Sequence, residues 1–233
     1  MYHPCGAKRF RLLHLISIIM GMILIDLEGD RTMDSSKKNR QPTSGGPSAL
    51  DELEVEMQGL QLSAIREEEI EQLLPLFNEP DAAGFYVPAM IRPYNLEQLK
   101  GLMGDWNDRA ESYVFAIRKE GRLVGIANVD GFSWANAHAE IGIALASPAF
   151  RGQGIAAAAL HLLLRYLFVD VGLHRVFCRI MEGNEASIRL FSKAGFRPEG
   201  RMKEHVRRHG KYIDMLMFGL LADEWEKART ERP

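Results

Sequence analysis

Apolar residues beyond residue 60 recur with two different periods, which predict alternating strands and helices. A period of two is typical of strands, and it predicts them at residues 62–65, 113–117, 123–129, 138–145, 176–180, from 196, and 212–220. A period of three to four is typical of helices, and it predicts them at residues 67–78, 95–103, 154–169, 185–194 and 223–229. A meander of strands followed by a strand–helix–strand crossover predicts an α+β fold in three layers, with a mixed, mostly antiparallel central sheet and helices on both faces.

The first sixty residues do not share this pattern. Lys8, Arg9 and Arg11 precede an apolar run at residues 12–25. The run is shorter than the roughly 20 residues that cross a bilayer as a helix. The polar stretch that follows, at 31–47, has the composition of a disordered linker. Three interpretations of the apolar run stay open: a membrane-proximal anchor, a targeting segment, or sequence upstream of the true start.

This contrast predicts three parts of the chain. An N-terminal extension covers residues 1–59, and part or most of it would be missing from the mature protein if translation started at Met33 or Met57. A single folded domain covers residues 60–228, and a short tail follows at 229–233. We expect the domain to lie in the cytoplasm, with membrane contact only through the apolar run.

Composition excludes several classes of protein. The chain has 29 Lys and Arg against 31 Asp and Glu, a net charge of −2, so no basic excess points to nucleic acid as a partner. Cys5 and Cys178 are the two cysteines and lie far apart, which fits neither a disulfide framework nor a cysteine metal site. We expect no metal cofactor, and we interpret Cys178 as a small core residue.

The segment Arg151-Gly152-Gln153-Gly154-Ile155-Ala156 is the strongest candidate binding site. It lies between a predicted strand and a predicted helix, where glycines let a ligand approach the backbone and the helix start offers unpaired N–H groups to a pyrophosphate. The spacing also matches the loose dinucleotide fingerprint. However, antiparallel strands precede the segment, and no acidic residue ends the next strand. A glycine turn that only caps a helix is the remaining alternative.

With this segment in place, residues 60–228 resemble the GNAT acetyltransferase superfamily, and most of all the branch of ribosomal-protein N-terminal and spermidine or diamine acetyltransferases. The first sixty residues have no counterpart there. Six matching pieces occur in the family's order: Ala139-Glu140-Ile141-Gly142, the 151–156 segment, Leu173-His174-Arg175, Asn184-Glu185-Ala186-Ser187, Lys193-Ala194-Gly195-Phe196 and Gly210-Lys211-Tyr212-Ile213-Asp214.

The resemblance implies transfer of an acetyl group from acetyl-CoA, the cosubstrate, to a primary amine by direct attack in a ternary complex. It implies that the strand ending at Leu145 and Ala146 splays from its neighbour and hydrogen-bonds the pantetheine arm. The backbone of residues 151–156 would hold the pyrophosphate, and Asn184 would contact the cofactor near its sulfur. Asn184 is equally suited to cap the helix that begins at residue 185.

The resemblance also nominates the groups that move protons. Glu140 occupies the position of a glutamate base, unless it is only a solvated carboxylate at a strand end, and His138 is a second candidate. Many relatives carry a tyrosine acid where this chain has Phe191, which has no hydroxyl. Ser187 is therefore the candidate acid, with helix capping as its alternative role. We interpret Tyr212 as packing in a hairpin.

The loop at 79–93 and the second predicted helix should wall the acceptor site. Acidic residues concentrate there, which would suit a cationic acceptor such as a polyamine or a protein N-terminus, although a solvated helix face would look the same: Glu67, Glu68, Glu69, Glu71, Glu79 and Asp81. Aromatic candidates for the pocket are Phe85, Tyr86, Trp106 and Trp134. Two rival functions remain, a non-catalytic acetyl-CoA-binding module and a nucleotide-binding protein of another class. A homodimer also stays open.

Overall fold

Eight strands form one sheet in a computed structural model, which describes residues 54–57, 59–79 and 93–230. The strands, in chain order, are β1 (Glu54–Met57), β2 (Leu60–Ala64), β3 (Tyr113–Lys119), β4 (Arg122–Ser133), β5 (His138–Leu145), β6 (Arg175–Met181), β7 (Arg197–Arg208) and β8 (Lys211–Leu221). Their order across the sheet is β1-β2-β3-β4-β5-β6-β8-β7. Every neighbouring pair is antiparallel except β5 and β6, which are parallel. The predicted mixed, mostly antiparallel sheet is confirmed.

Within the described ranges, five α-helices cover the sheet: α1 (Leu74–Asn78), α2 (Leu96–Trp106), α3 (Ile155–Arg165), α4 (Glu185–Lys193) and α5 (Ala222–Thr230). A 3-10 helix, Glu67–Leu73, leads into α1, and a π-helical turn, Tyr166–Asp170, extends α3. The predicted helix at 67–78 is thus two segments. Pro75 lies in the first turn of α1 and begins that helix rather than ending it, because a helix start does not need the proline's missing N–H group.

The sheet buries a different hydrophobic cluster on each face. One cluster joins Val129 of β4 to Leu163 of α3, Phe191 of α4 and Trp225 of α5. The other joins Ile126 of β4 to residues of α1 and α2 such as Phe77 and Leu99. Neighbouring residues of β4 enter opposite clusters because successive side chains of a strand point to opposite faces. Helices therefore lie on both faces, as predicted.

The start of the sheet differs from the predicted domain boundary, and several other predictions concern residues outside the described ranges. The sheet includes β1, which lies upstream of the predicted domain start at residue 60 and pairs with β2. The apolar run at 12–25, the linker at 31–47 and most of the loop at 79–93 lie outside the described residues. Among the helices that the structure does describe, none is both long and apolar enough to cross a membrane.

Candidate active site

A groove of about 680 Å³ opens where β5 and β6 separate. The two strands pair only from His138 to Glu140, opposite Arg175 to Phe177. From Ile141 onward β5 has no partner on that side, so its backbone there faces the groove. The walls of the groove come from residues 141–145 of β5, 178–180 of β6, the start of α3 and one side of α4.

Leu145 and Ala146, the two predicted pantetheine contacts at the end of β5, differ in the direction of their backbone groups. The amide of Ala146 donates to the carbonyl of Val124, 2.9 Å away, on the β4 side, and Ala146 is buried. The amide of Ala146 is therefore already used, and the contact of this residue with the pantetheine arm stays a prediction. Backbone groups alternate in direction along a strand, so Leu145 presents its amide and carbonyl on the opposite side, toward the groove that it lines.

The segment at 151–156 starts α3 as predicted. Gly154 is the residue before the helix, with a left-handed φ of 76° that a glycine adopts without steric cost. The first intrahelical bond runs from the amide of Ala158 to the carbonyl of Gly154, at 3.0 Å. The amides from Ile155 to Ala157 precede that bond and form the positive end of the helix. A Cβ atom built on Gly152 or Gly154 would meet nothing within 4 Å, so the space above this turn is open to a ligand.

Two side chains of the segment have separate roles. Gln153 donates from Nε2 to the carbonyl of Ala149, 2.8 Å away, so its side chain holds the turn together. Arg151 is exposed and lines the groove. Ala156 and Ile155 line the groove as well, with Ile155 buried in the core. The segment therefore offers its backbone, and the charge of Arg151, to an anion.

The start of α4 forms the opposite wall. Asn184 accepts a hydrogen bond at Oδ1 from the amide of Ser187, 3.2 Å away, so the capping role is present. Both residues line the groove, and the amide nitrogen of the Asn184 side chain can still donate to a ligand. Phe191 is buried and packs edge-on against Phe196, with ring centroids 5.1 Å apart. No hydroxyl reaches the groove from that position, which leaves Ser187 as the hydroxyl of α4 at this wall.

Three cations beside the groove were not among the predicted site residues. Arg189 and Lys193 lie one helical turn apart on α4, and Arg179 lies on β6; all three line the groove. The spacing of four residues between Arg189 and Lys193 is the signal that could have identified the first two. With Arg151 they make the groove favourable for a phosphorylated ligand.

Glu140 lies at the last paired position before the strands separate, and it is bound to Arg179. The guanidinium donates from Nε to Oε1 at 2.8 Å and from Nη2 to Oε2 at 2.7 Å. Both carboxylate oxygens are therefore engaged in a two-pronged ion pair. His138, two residues earlier, packs edge-on against Phe177, with ring centroids 6.0 Å apart. Its Nδ1 is buried and has no hydrogen-bond partner in the described part of the chain.

Comparison with known proteins identifies the family. The sequence profile described as "Acetyltransferase (GNAT) domain" matches residues 60–197, more than half of the 233 residues. The chain belongs to the GNAT acetyltransferase family. Acetyl-CoA is accordingly its cosubstrate.

Two curated relatives show what this GNAT chain is similar to. YdaF of Bacillus subtilis (strain 168), provisionally named a ribosomal N-acetyltransferase, is 34% identical over 107 residues, which are 46% of this chain and 58% of YdaF. The match therefore spans little more than half of that protein's length. A spermidine N(1)-acetyltransferase of Vibrio cholerae is 24% identical over 119 residues, 51% of this chain and 68% of that protein.

The fold of a solved structure agrees with that of this GNAT domain. The spermidine N-acetyltransferase of Vibrio cholerae, crystallised with CoA and spermine, superposes with a TM-score of 0.66 at 20% identity. The superposition covers 73% of this chain and 99% of that one. At this identity the likeness concerns the fold, and it confirms the predicted GNAT architecture.

The predicted acidic wall of this GNAT protein is only partly present. Glu69 is buried and bound to Arg118 of β3, whose Nε lies 2.8 Å from Oε1. Burial alone would raise the pKa of Glu69, but hydrogen bonds and charge from Arg118 outweigh it, and the pKa is lowered. Glu67 pairs with Lys100, with Nζ 2.9 Å from Oε1. Glu69 therefore belongs to the scaffold and was wrongly assigned to the wall.

The aromatic candidates are core residues where the structure describes them. Trp106 packs on Phe77, with ring centroids 5.8 Å apart, and Trp134 packs on Phe132, 4.5 Å apart. Tyr212 is exposed, and its ring lies under the guanidinium of Arg207. Asp81, Phe85 and Tyr86 lie outside the described residues. Neither Trp106 nor Trp134 therefore lines the groove.

Proposed function

We propose that this GNAT protein transfers an acetyl group from acetyl-CoA to a primary amine by direct attack, with both substrates bound at once. The observation that carries the proposal is the groove between β5 and β6, which leads from the start of α3 to Ile141 and Arg179, the residues next to Glu140. The backbone of β5 that faces the groove and the cations beside it fit a long cosubstrate that carries phosphate groups. The acceptor amine would bind on the face of the sheet beside Glu140, which the cosubstrate does not occupy.

Acetyl-CoA would bind along the groove in a definite direction. The amides from Gly152 to Ala157 would receive the pyrophosphate, because helix-start amides attract anions. The backbone of Leu145 would pair with the pantetheine amides as an added strand would. The thioester would then lie near Glu140, Asn184 and Ser187, the part of the groove where β5 and β6 part.

A covalent route through a cysteine has little support. Cys178 lies beside the groove and is almost fully buried, at 2% exposure. Burial, and secondarily the charge of Glu140, raises the pKa of the Cys178 thiol well above its usual range. A thiol that stays protonated is a poor nucleophile. Direct attack by the amine is therefore the mechanism that the site supports.

The amine must lose a proton before it attacks. An amine with a pKa of about 10.4 is almost wholly protonated near neutral pH, whereas an α-amine with a pKa of about 8 is protonated to a smaller degree. Glu140 would hold the ammonium electrostatically, but proton uptake by Glu140 requires one of its two bonds to Arg179 to break. Ser187 would supply a proton to the leaving thiolate. These two roles are proposals based on position.

The acceptor is proposed to be a cationic amine, either a polyamine or a protein N-terminus. The names of its relatives refer to spermidine and to a ribosomal acceptor, and exposed Glu68 and Glu71 flank the α1 side of the domain. We further propose action in the cytoplasm, where acetyl-CoA is available, and leave the homodimer as a proposal for solution measurement.

A thiol-release assay tests the function. The full chain is incubated with acetyl-CoA and, in turn, spermidine, spermine and peptides with free N-termini. Release of CoA thiol with at least one amine, together with an amine product heavier by one acetyl group, is expected. CoA binding without thiol release on any amine would instead support a non-catalytic acetyl-CoA-binding module.

A further inference from the structure

A second carboxylate lies directly across the sheet from Glu140. Asp130 of β4 is the register partner of Glu140 of β5, so both side chains point to the same face, with Cα atoms about 5 Å apart. Asp130 is only partly exposed. No part of the mechanism described so far uses it.

Asn128 fixes the position of Asp130. The Nδ2 group of Asn128 donates to Oδ2 of Asp130. The Asn128 side chain lies over Gly142 of β5, where a Cβ atom would come within 2.4 Å of Oδ1. Only glycine leaves room for Asn128 at this position, so the sequence of β5 accommodates a side chain whose partner is Asp130.

The two carboxylates share one guanidinium unequally. Arg179 directs Nε and Nη2 to Glu140, and it acts on Asp130 only through its charge. Burial, followed by the negative charge of Glu140, raises the pKa of Asp130 to about 7, although hydrogen bonds from Asn128 and Ser112 oppose the increase. The charged groups acting on Asp130 are thus Glu140 from β5 and Arg179 from β6. By strand alternation, His138 of β5 and Arg175 of β6, which is paired with Glu199, lie on the same face of the sheet.

We propose that Asp130 is the proton acceptor of the acetyl transfer, while the Glu140–Arg179 pair holds the acceptor's ammonium in place. This inference rests on the proposed function. The ammonium passes one proton to the Asp130 carboxylate, and the nitrogen lone pair attacks the thioester carbonyl carbon. The carbon–sulfur bond breaks, the Ser187 hydroxyl gives its proton to the thiolate, and the second proton that the nitrogen loses restores the hydroxyl. Asp130 then releases its proton to water.

This assignment agrees with the energetics of general-base catalysis. A base is most effective when its pKa lies near the working pH, because it is then often deprotonated and still binds a proton well. The partly buried position of Asp130 beside Glu140 supplies that property. Glu140 cannot both hold the ammonium and accept its proton, because its two oxygens already accept hydrogen bonds from Arg179.

The test compares wild type with Asp130→Asn, using spermidine and an amine whose pKa lies below 6. Asparagine keeps the size and can still bind Asn128, but it accepts no proton. With spermidine at pH 7 we expect kcat to fall roughly 100-fold, with the KM for acetyl-CoA unchanged. The low-pKa amine needs no base, so its kcat should fall less than threefold. Asp130→Glu should restore part of the spermidine rate.

The pH profile separates a base from a structural residue. In wild type, kcat with spermidine should fall as the pH drops below about 7, because Asp130 becomes protonated; in Asp130→Asn this limb should disappear. Glu199→Gln is the matched control, since Glu199 is also held by an arginine, Arg175, and it should leave the profile unchanged.

Three results would overturn the inference. Equal losses with both amines would make Asp130 structural, and an unchanged limb near pH 7 would assign the base elsewhere. A wild-type protein that acetylates no amine would remove the proposed function and this inference together. The first two results leave the acetyltransferase activity itself standing.

Discussion

The two sides of the opening between β5 and β6 are built by different means. On the proposed cofactor side, the start of α3 would bind through its own backbone, and consecutive residues from Gly152 to Ala156 would supply the contacts. On the proposed acceptor side, Asp130, Glu140 and Arg179 come from three strands and meet only because the sheet pairs them. Binding of the cosubstrate would therefore be a local property of the sequence, whereas proton transfer would be a property of the tertiary fold.

This comparison predicts that a substitution on one side should leave the function of the other side measurable. Changes at the start of α3 should alter the affinity for CoA, and changes beside Glu140 should alter turnover. Changes in the buried scaffold residues that support the acceptor side should alter the free energy of unfolding.

The largest expected effect is on that scaffold. Arg118→Met leaves the buried carboxylate of Glu69 without its cation, which costs about 3–5 kcal/mol and should appear as a lower free energy of unfolding in urea. The double variant Arg118→Met with Glu69→Leu removes the stranded charge. It should be more stable than the single variant, and a double variant that is equally unstable would contradict the argument.

On the cofactor side, Gly154→Glu should weaken CoA binding roughly 100-fold, because a carboxylate would face the pyrophosphate at the positive end of α3. Gly154→Ala is the control for backbone strain at a left-handed φ, which costs about 1–2 kcal/mol. Calorimetric titration with CoA measures both. Equal losses in the two variants would assign the effect to strain rather than to charge.

On the acceptor side, Asp130 should make stability depend on pH. The folded protein keeps a proton on Asp130 up to about pH 7, whereas the unfolded chain releases it near pH 4. The folded state binds more protons between these values, so stability falls as the pH rises from 4 to 7. Between pH 5 and pH 8, Asp130→Asn should lose less unfolding free energy than wild type, by an amount on the order of 2–4 kcal/mol. Parallel curves for the two proteins would contradict the raised pKa.

The smallest expected effect concerns the cations of α4. Replacing Arg189 and Lys193 together with alanine should weaken CoA binding a few-fold, because both are at the rim of the groove and water screens their charges. Raising the salt concentration should shrink the difference from wild type. A loss that is insensitive to salt would mean that the two residues act through packing.

The local structure of the proposed cofactor side was predicted well because its signals are local. Two glycines before an apolar helix are adjacent in the chain, and their conformation and chemistry follow from that order. Asn184 before Ser187 could likewise be identified as a cap. The hydrogen bond of the Ala146 amide to β4 could not be predicted, because the direction of a backbone amide depends on strand register, which the sequence does not display.

The acceptor side was harder to predict because its contacts join distant residues. Glu69 looked like a surface acid until Arg118, 49 positions away, was found against it. Arg179 lies 39 positions from Glu140, and neither spacing follows a helix or hairpin period. Asp130 had no sequence signal of its own, since its properties come from the strand beside it.

A crystal structure of the full chain with acetyl-CoA tests the central claim most directly. We predict the diphosphate within hydrogen-bonding distance of the amides between Gly152 and Ala157, the pantetheine paired with the backbone of Leu145, and the thioester beside Glu140. Cosubstrate bound elsewhere, with the turn at Gly152 and Gly154 empty or closed by its own side chains, would contradict the claim.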